Sequence, residues 1–104
     1  MSRAEPELVV EARLEDAGPL LPAPGDQWTI GLMRYAVLRV VAGSYADDEL
    51  FVGHPDADTR APEFQPGVRH RLELTRDFPP EASLLSPWDV RGRGAWFCLR
   101  FQVL

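Results

Sequence analysis

Ten prolines and eight glycines are spread through this chain of 104 residues, and they leave no room for a long helix. Between them lie short runs in which apolar and polar residues alternate with a period of two, the pattern of a half-buried strand. Residues 7–15 place Leu8, Val10, Ala12 and Leu14 on one face, with Glu11, Arg13 and Glu15 on the other. Residues 49–53 form a short strand with Phe51 opposed to Leu50 and Val52. Residues 68–75 alternate most cleanly, Val68, His70, Leu72 and Leu74 against Arg69, Arg71, Glu73 and Thr75. Residues 95–103 close the chain, with Ala95, Phe97, Leu99, Phe101 and Val103 assigned to the core face. Trp96, Cys98, Arg100 and Gln102 fall opposite.

The segments between are read as loops. Residues 17–27 hold Pro19, Pro22, Pro24 and Gly25, and residues 54–66 hold three more prolines without periodicity. Residues 79–85 suit one or two helical turns, with Pro80 at a first helical position and Glu81 at the positive end of the dipole.

The longest apolar run is residues 28–42. Ile30, Leu32, Arg34, Ala36, Leu38 and Val40 share one face; Met33, Tyr35, Val37, Arg39 and Val41 share the other. Neither face is purely apolar. Burial on both sides explains this, as does a bulge near Gly31 or Arg34 that switches the inward face. A helix is the rival reading, against which Gly31, Val37, Val40 and Val41 weigh.

Five strands with at most one short helix predict an all-β domain spanning residues 1–104. A long, bulged strand in an antiparallel sheet curls towards closure, which removes exposed edges. The expected architecture is a small five-stranded OB-like barrel; a small β-sandwich is the alternative. The hydrophobic share of 45% and charged share of 26% are globular values. Cys98 is the single cysteine, so no intramolecular disulfide forms, which points to a reducing cytoplasm. The first residues, Met-Ser-Arg-Ala-Glu-Pro-Glu, carry no apolar signal region, although a mature exported chain would read the same way. No stretch has the length and apolarity of a spanning helix.

Sixteen acidic residues against eleven arginines give a net charge of −5, with no lysine. That balance disfavours a nucleic-acid binder, whose affinity comes largely from neutralising phosphates. It suits a protein that docks on a basic partner.

The stretch Tyr35-Ala-Val37-Leu-Arg-Val40-Val-Ala-Gly43-Ser-Tyr resembles the long strand of netrin-type barrels, the OB-like domains also found in tissue inhibitors of metalloproteinases. A second strand, Leu50-Phe-Val52, and a Pro66-Gly67 step before an alternating strand extend the resemblance over about residues 33–75. It implies the barrel fold alone. Those inhibitors chelate the protease zinc through an N-terminal cysteine and depend on several disulfides, whereas this chain begins Met1-Ser2 and holds only Cys98. No functional residue carries over, and a shared fold does not fix function.

His54, Asp56 and Asp58 form the most site-like group, a histidine and two carboxylates able to bind a divalent metal with Glu63 or His70. The spacing fits neither an EF-hand loop nor a zinc motif. The plainer reading is a solvated acidic loop and a buried, hydrogen-bonded His70. Ser44, Ser83 and Ser86 lack a nucleophile-elbow context, Cys98 reads as a small strand residue, and Asp47-Asp48-Glu49 reads as a turn. No motif calls for a cofactor.

The segment Arg91-Gly-Arg93-Gly-Ala-Trp96, with Trp28 and Trp88, looks like a base-stacking patch. Its plainer reading is a glycine-rich hairpin approach. As a protein-contact surface, Trp88, Arg91, Arg93, Trp96, Arg100 and Gln102 fit better, because Trp and Arg are enriched in interface hot spots. Alternatively, Trp88 and Trp96 cover the barrel end. The expected role is therefore a non-catalytic protein-interaction or accessory domain, self-associating or bound to another protein, away from membranes. An OB-type module for a ligand or single-stranded nucleic acid is the alternative. A small metal-dependent hydrolase comes third.

Overall fold

The computed structural model describes residues 5–22, 29–55, 61–76, 89–90, 93–94 and 96–104. Its strands are β1 (Leu8–Pro22), β2 (Thr29–Ala42), β3 (Glu49–Pro55), β4 (Arg69–Thr75), β5 (Asp89–Val90), β6 (Arg93–Gly94) and β7 (Trp96–Val103). Among the described residues one 3-10 turn is found, at Pro62–Phe64. Five strands close into a barrel in the order β1-β2-β3-β7-β4, with β4 returning to β1. The chain is thus nearly all β, and the closed five-stranded barrel is consistent with an OB-like fold. The two-residue strands β5 and β6 pair separately, at the place where the sequence suggested a hairpin.

The alternation along β1 and β4 holds. Leu8, Val10, Ala12 and Leu14 are fully buried, as are His70, Leu72 and Leu74. From β2 and β3 the core adds Met33, Tyr35, Leu50 and Val52, and Phe64 enters from the 3-10 turn.

The double-faced pattern of β2 resolves into bulges. Against β1 its partners step from Ala42 to Val40 and from Arg39 to Val37, which leaves Val41 and Leu38 as extra residues. Both are exposed. The face switches there, so Met33, Tyr35, Val37 and Val40 all reach the core although their spacing is not strictly two. The bulges opposite Arg34 and Gly31 lie in β1 instead, at Glu15 and between Ala17 and Leu20.

Three sequence expectations need correction. Residues 17–22 are not loop but the far half of β1, paired with β2 as far as Pro22↔Thr29. The paired β1–β4 register ends at Arg13↔Arg69, so this half is an edge among the described residues. A missing proline N–H costs little on an edge or in a register break. His54 and Pro55 are not loop but the end of β3. The first half of β7 is buried on both faces: Phe97, expected inward, is buried, but so are Trp96 and Cys98, expected outward. Trp96 and Cys98 join the core, because a register break between Glu73 and Leu74 leaves Leu99 as an extra residue and flips the alternation beyond it. The candidate helical turn at residues 79–85 lies outside the described residues.

Two glycines have conformations that require them. Gly43 follows β2 at φ +87°, and a Cβ there would stand 2.5 Å from the Glu7 carbonyl oxygen. Gly67 has φ +95° in the turn from Gln65 to Val68, closed by Val68 N–H donating to Gln65 O at 3.2 Å. Pro66 and Gly67 are the residues a type II turn calls for at its centre.

Candidate functional site

Two features stand out on this frame: a polar chain inside the barrel and an end of β7 that, among the described residues, pairs on one side alone. The inner chain begins with alternation. Tyr35 follows Met33 on the inward face of β2, His54 follows Leu50 and Val52 on β3, and His70 precedes Leu72 on β4. All three side chains are buried. The Tyr35 hydroxyl lies 2.7 Å from Nε2 of His54 and 2.8 Å from Nδ1 of His70. Nε2 of His70 lies 2.6 Å from the Glu63 carbonyl oxygen.

One hydrogen arrangement satisfies every link between neutral groups. The Glu63 carbonyl only accepts, so His70 Nε2–H donates to it and His70 Nδ1 is left as an acceptor. The Tyr35 hydroxyl therefore donates to His70 Nδ1 and accepts from His54 Nε2–H. The chain runs His54 to Tyr35 to His70 to Glu63. Phe64 and Phe101 close over it, with ring centroids 5.1 and 5.2 Å from His54.

Burial governs how these groups titrate. It pushes His54 down to about 3, helped by the neighbouring His70. It also lowers His70, against the opposing pull of the Glu63 carbonyl and carboxylate. The Tyr35 hydroxyl is driven well above its ordinary range by burial. Both imidazoles are neutral near pH 7, and the Nδ1 lone pair of His70 faces the Tyr35 hydroxyl. The arrangement welds three strands and the 3-10 turn together and presents no nucleophile.

As for the metal candidate, His54 hydrogen-bonds inward to Tyr35, while Asp56 and Asp58 lie outside the described residues. Among the described residues no three His, Cys, Asp or Glu side chains gather as a metal-binding group. An open cleft of about 190 Å³ between β1, β2 and β3 is lined by Glu15, Arg34, Asp48 and Glu49. Its charges are largely matched within the chain: Arg34 Nη1 lies 3.3 Å from Glu49 Oε2, and Glu15 accepts from Arg13 at 2.9 Å.

β7 carries the contact-surface candidates. Trp96 is only 7% exposed. The Arg76 guanidinium lies 4.3 Å above its ring centre and the Tyr45 ring meets it edge-on, while its buried indole N–H has no acceptor among the described residues. Cys98 is buried too. Its thiol donates to the Arg100 carbonyl at 3.3 Å, and burial beside Glu73 pushes it up to about 12, so it is no reactive nucleophile. Beyond the Leu99 bulge the strand is exposed throughout. Arg100 reaches back to Glu73 at 3.0 and 3.1 Å, and Gln102 faces solvent. Phe101 is 40%, Val103 48% and Leu104 53% exposed. Of the candidates named from sequence, Arg100 and Gln102 share this surface and Trp96 does not. Trp88, Arg91 and the side chain of Arg93 lie outside the described residues.

Sequence reading missed Tyr35, and it took His54 for a metal candidate in a loop rather than a buried strand residue bonded to Tyr35. A signal existed, since each sits in phase with apolar neighbours on its own strand, but their pairing joins residues 19 and 35 positions apart. Comparison with protein-family models, curated proteins and solved structures finds no match in any of the three. No helix among the described residues is long and apolar enough to cross a membrane.

Proposed function

We propose that this barrel is a non-catalytic protein-interaction or accessory domain whose contact surface is the outer half of β7. One observation carries the reading: Arg100 to Leu104 are all exposed, and three of these five residues are apolar. Arg is common at interface hot spots, and contiguous exposed apolar residues are unusual on a lone domain. Inside the barrel Tyr35 is hydrogen-bonded to both His54 and His70. Within OB-like barrels we keep the netrin-type resemblance, which the bulged β2 and the Pro66-Gly67 turn before β4 support. None of the inhibitor chemistry comes with it.

The test is an Arg100→Ala, Gln102→Ala double variant, compared with wild type for self-association by sedimentation and for capture of protein partners. The expected result is loss of association with an unchanged circular-dichroism spectrum. Retention of every partner by the variant would remove this surface. Heparin and single-stranded DNA at low salt form a second arm. No retention is expected at net charge −5, and strong salt-dependent retention would replace the reading with a nucleic-acid module.

A further inference from the structure

We infer that the uncovered edge of β7 pairs, antiparallel, with the same edge of a second copy of this chain. This deepens the interaction reading above and rests on it. The inference starts from the β4–β7 register: His70↔Val103, Arg71↔Gln102, Leu72↔Phe101 and Glu73↔Arg100. Leu104 N–H donates to Arg69 O at 3.0 Å, so the Arg69–Leu104 position is a hydrogen-bonded one. Hydrogen-bonded and non-bonded positions alternate along an antiparallel pair. The Gln102 and Arg100 backbones therefore bond to β4, while the N–H and C=O groups of Phe101 and Val103 point to the opposite edge.

Among the described residues that opposite edge pairs with β3 at Trp96 and Phe97. Among the described residues nothing pairs with it further on. The side chains of Phe101 and Val103 lie on the same sheet face as His70 and Leu72, yet they are 40% and 48% exposed. An exposed strand edge with apolar side chains is a template for another strand.

The sequence of this edge complements itself. With a two-fold axis through Gln102, Phe101 stands opposite Val103 of the second copy, and Val103 opposite its Phe101. Each pair exchanges two backbone bonds, so four outward-pointing groups per copy are satisfied. Aromatic against β-branched is a favourable cross-strand pair. On the other face Gln102 meets Gln102, and Arg100 meets Leu104. No like charges oppose one another, whereas a shift centring the axis on Arg100 would set arginine against arginine. A heterologous partner would need the same complementarity by coincidence.

The test is a charge swap on the axis, in the full chain, read by sedimentation velocity over a concentration series. Gln102 is exposed, so Gln102→Lys and Gln102→Glu are expected to fold normally, as circular dichroism and melting would report. Wild type is expected to dimerise. Gln102→Lys sets two like charges face to face and should weaken the dimer about fivefold or more, an effect of roughly 1 kcal/mol. Mixing Gln102→Lys with Gln102→Glu should restore association. Val103→Lys, which leaves the β4 ladder intact, should abolish it. Wild type that stays monomeric at every concentration overturns the inference, as does a dimer indifferent to both lysine variants. If wild type is monomeric but the Arg100→Ala, Gln102→Ala variant still loses a captured partner, the interaction reading stands and only the self-pairing falls.

Discussion

Tyr35 holds together the polar interior. Its hydroxyl hydrogen-bonds to both His54 of β3 and His70 of β4. Tyr35→Phe leaves the His54 N–H without its acceptor and the His70 Nδ1 without its donor, each in a buried site. An unsatisfied buried group costs about 1–3 kcal/mol, so the variant should lose at least about 2 kcal/mol in urea unfolding. A loss no larger than that of an exposed substitution would mean that water already serves these imidazoles. A pH dependence follows from the same burial. The unfolded chain binds a proton at His54 near its ordinary value of 6.5, but the folded chain does so only near about 3. Below 6.5 the unfolded state therefore holds more protons, and stability falls as pH falls through this window; above it this contribution is complete. The slope approaches roughly 1.4 kcal/mol per pH unit for one such group. His54→Gln, which keeps a donor for Tyr35 without titrating, should flatten the slope between pH 6 and about 4. Equal slopes in wild type and variant would show that His54 is not kept neutral by the fold.

At the scale of elements, bulges and two glycines set the barrel's shape. Gly43 and Gly67 both have positive φ, but a Cβ at Gly67 would meet nothing within 4 Å while one at Gly43 would run into the Glu7 carbonyl. Gly67→Ala should therefore cost only the left-handed backbone, about 1–2 kcal/mol. Gly43→Ala should cost clearly more, because β1 and the turn after β2 must also separate. Thermal unfolding of the two variants would rank them, and the reverse order would place Gly43 wrongly against β1. These elements also show what a single sequence discloses. The inward residues of β4, and of β1 up to Leu14, could be read because each strand keeps a strict alternation there. The first half of β7 could not, since a bulge is a mismatch between two strands and Leu99 looks ordinary within its own. The second half of β1 was hidden by Pro19 and Pro22, which are strand breakers only where a neighbour needs their N–H groups. The exposed Arg100 and Gln102 were legible, but the buried Trp96 was misplaced by that same bulge.

At the scale of the whole molecule, the barrel closes weakly at one seam. Among the described residues β3 and β7 share two paired positions, Val52↔Trp96 and Gly53↔Phe97, and β7 runs on well beyond them. Closure buries the Tyr–His–His chain, while the far end of β7 leaves a strand edge that no described strand pairs and exposed apolar side chains. The central claim, that this edge is open in the single molecule and used in contact, is tested most directly by amide hydrogen exchange along β7. In dilute protein the amides of Arg100, Gln102 and Leu104 should be protected by β4, while those of Phe101 and Val103 exchange fast. Raising the concentration should slow Phe101 and Val103 alone. Protection of those two amides in the dilute monomer would contradict the claim, because the edge would then be covered by the chain itself.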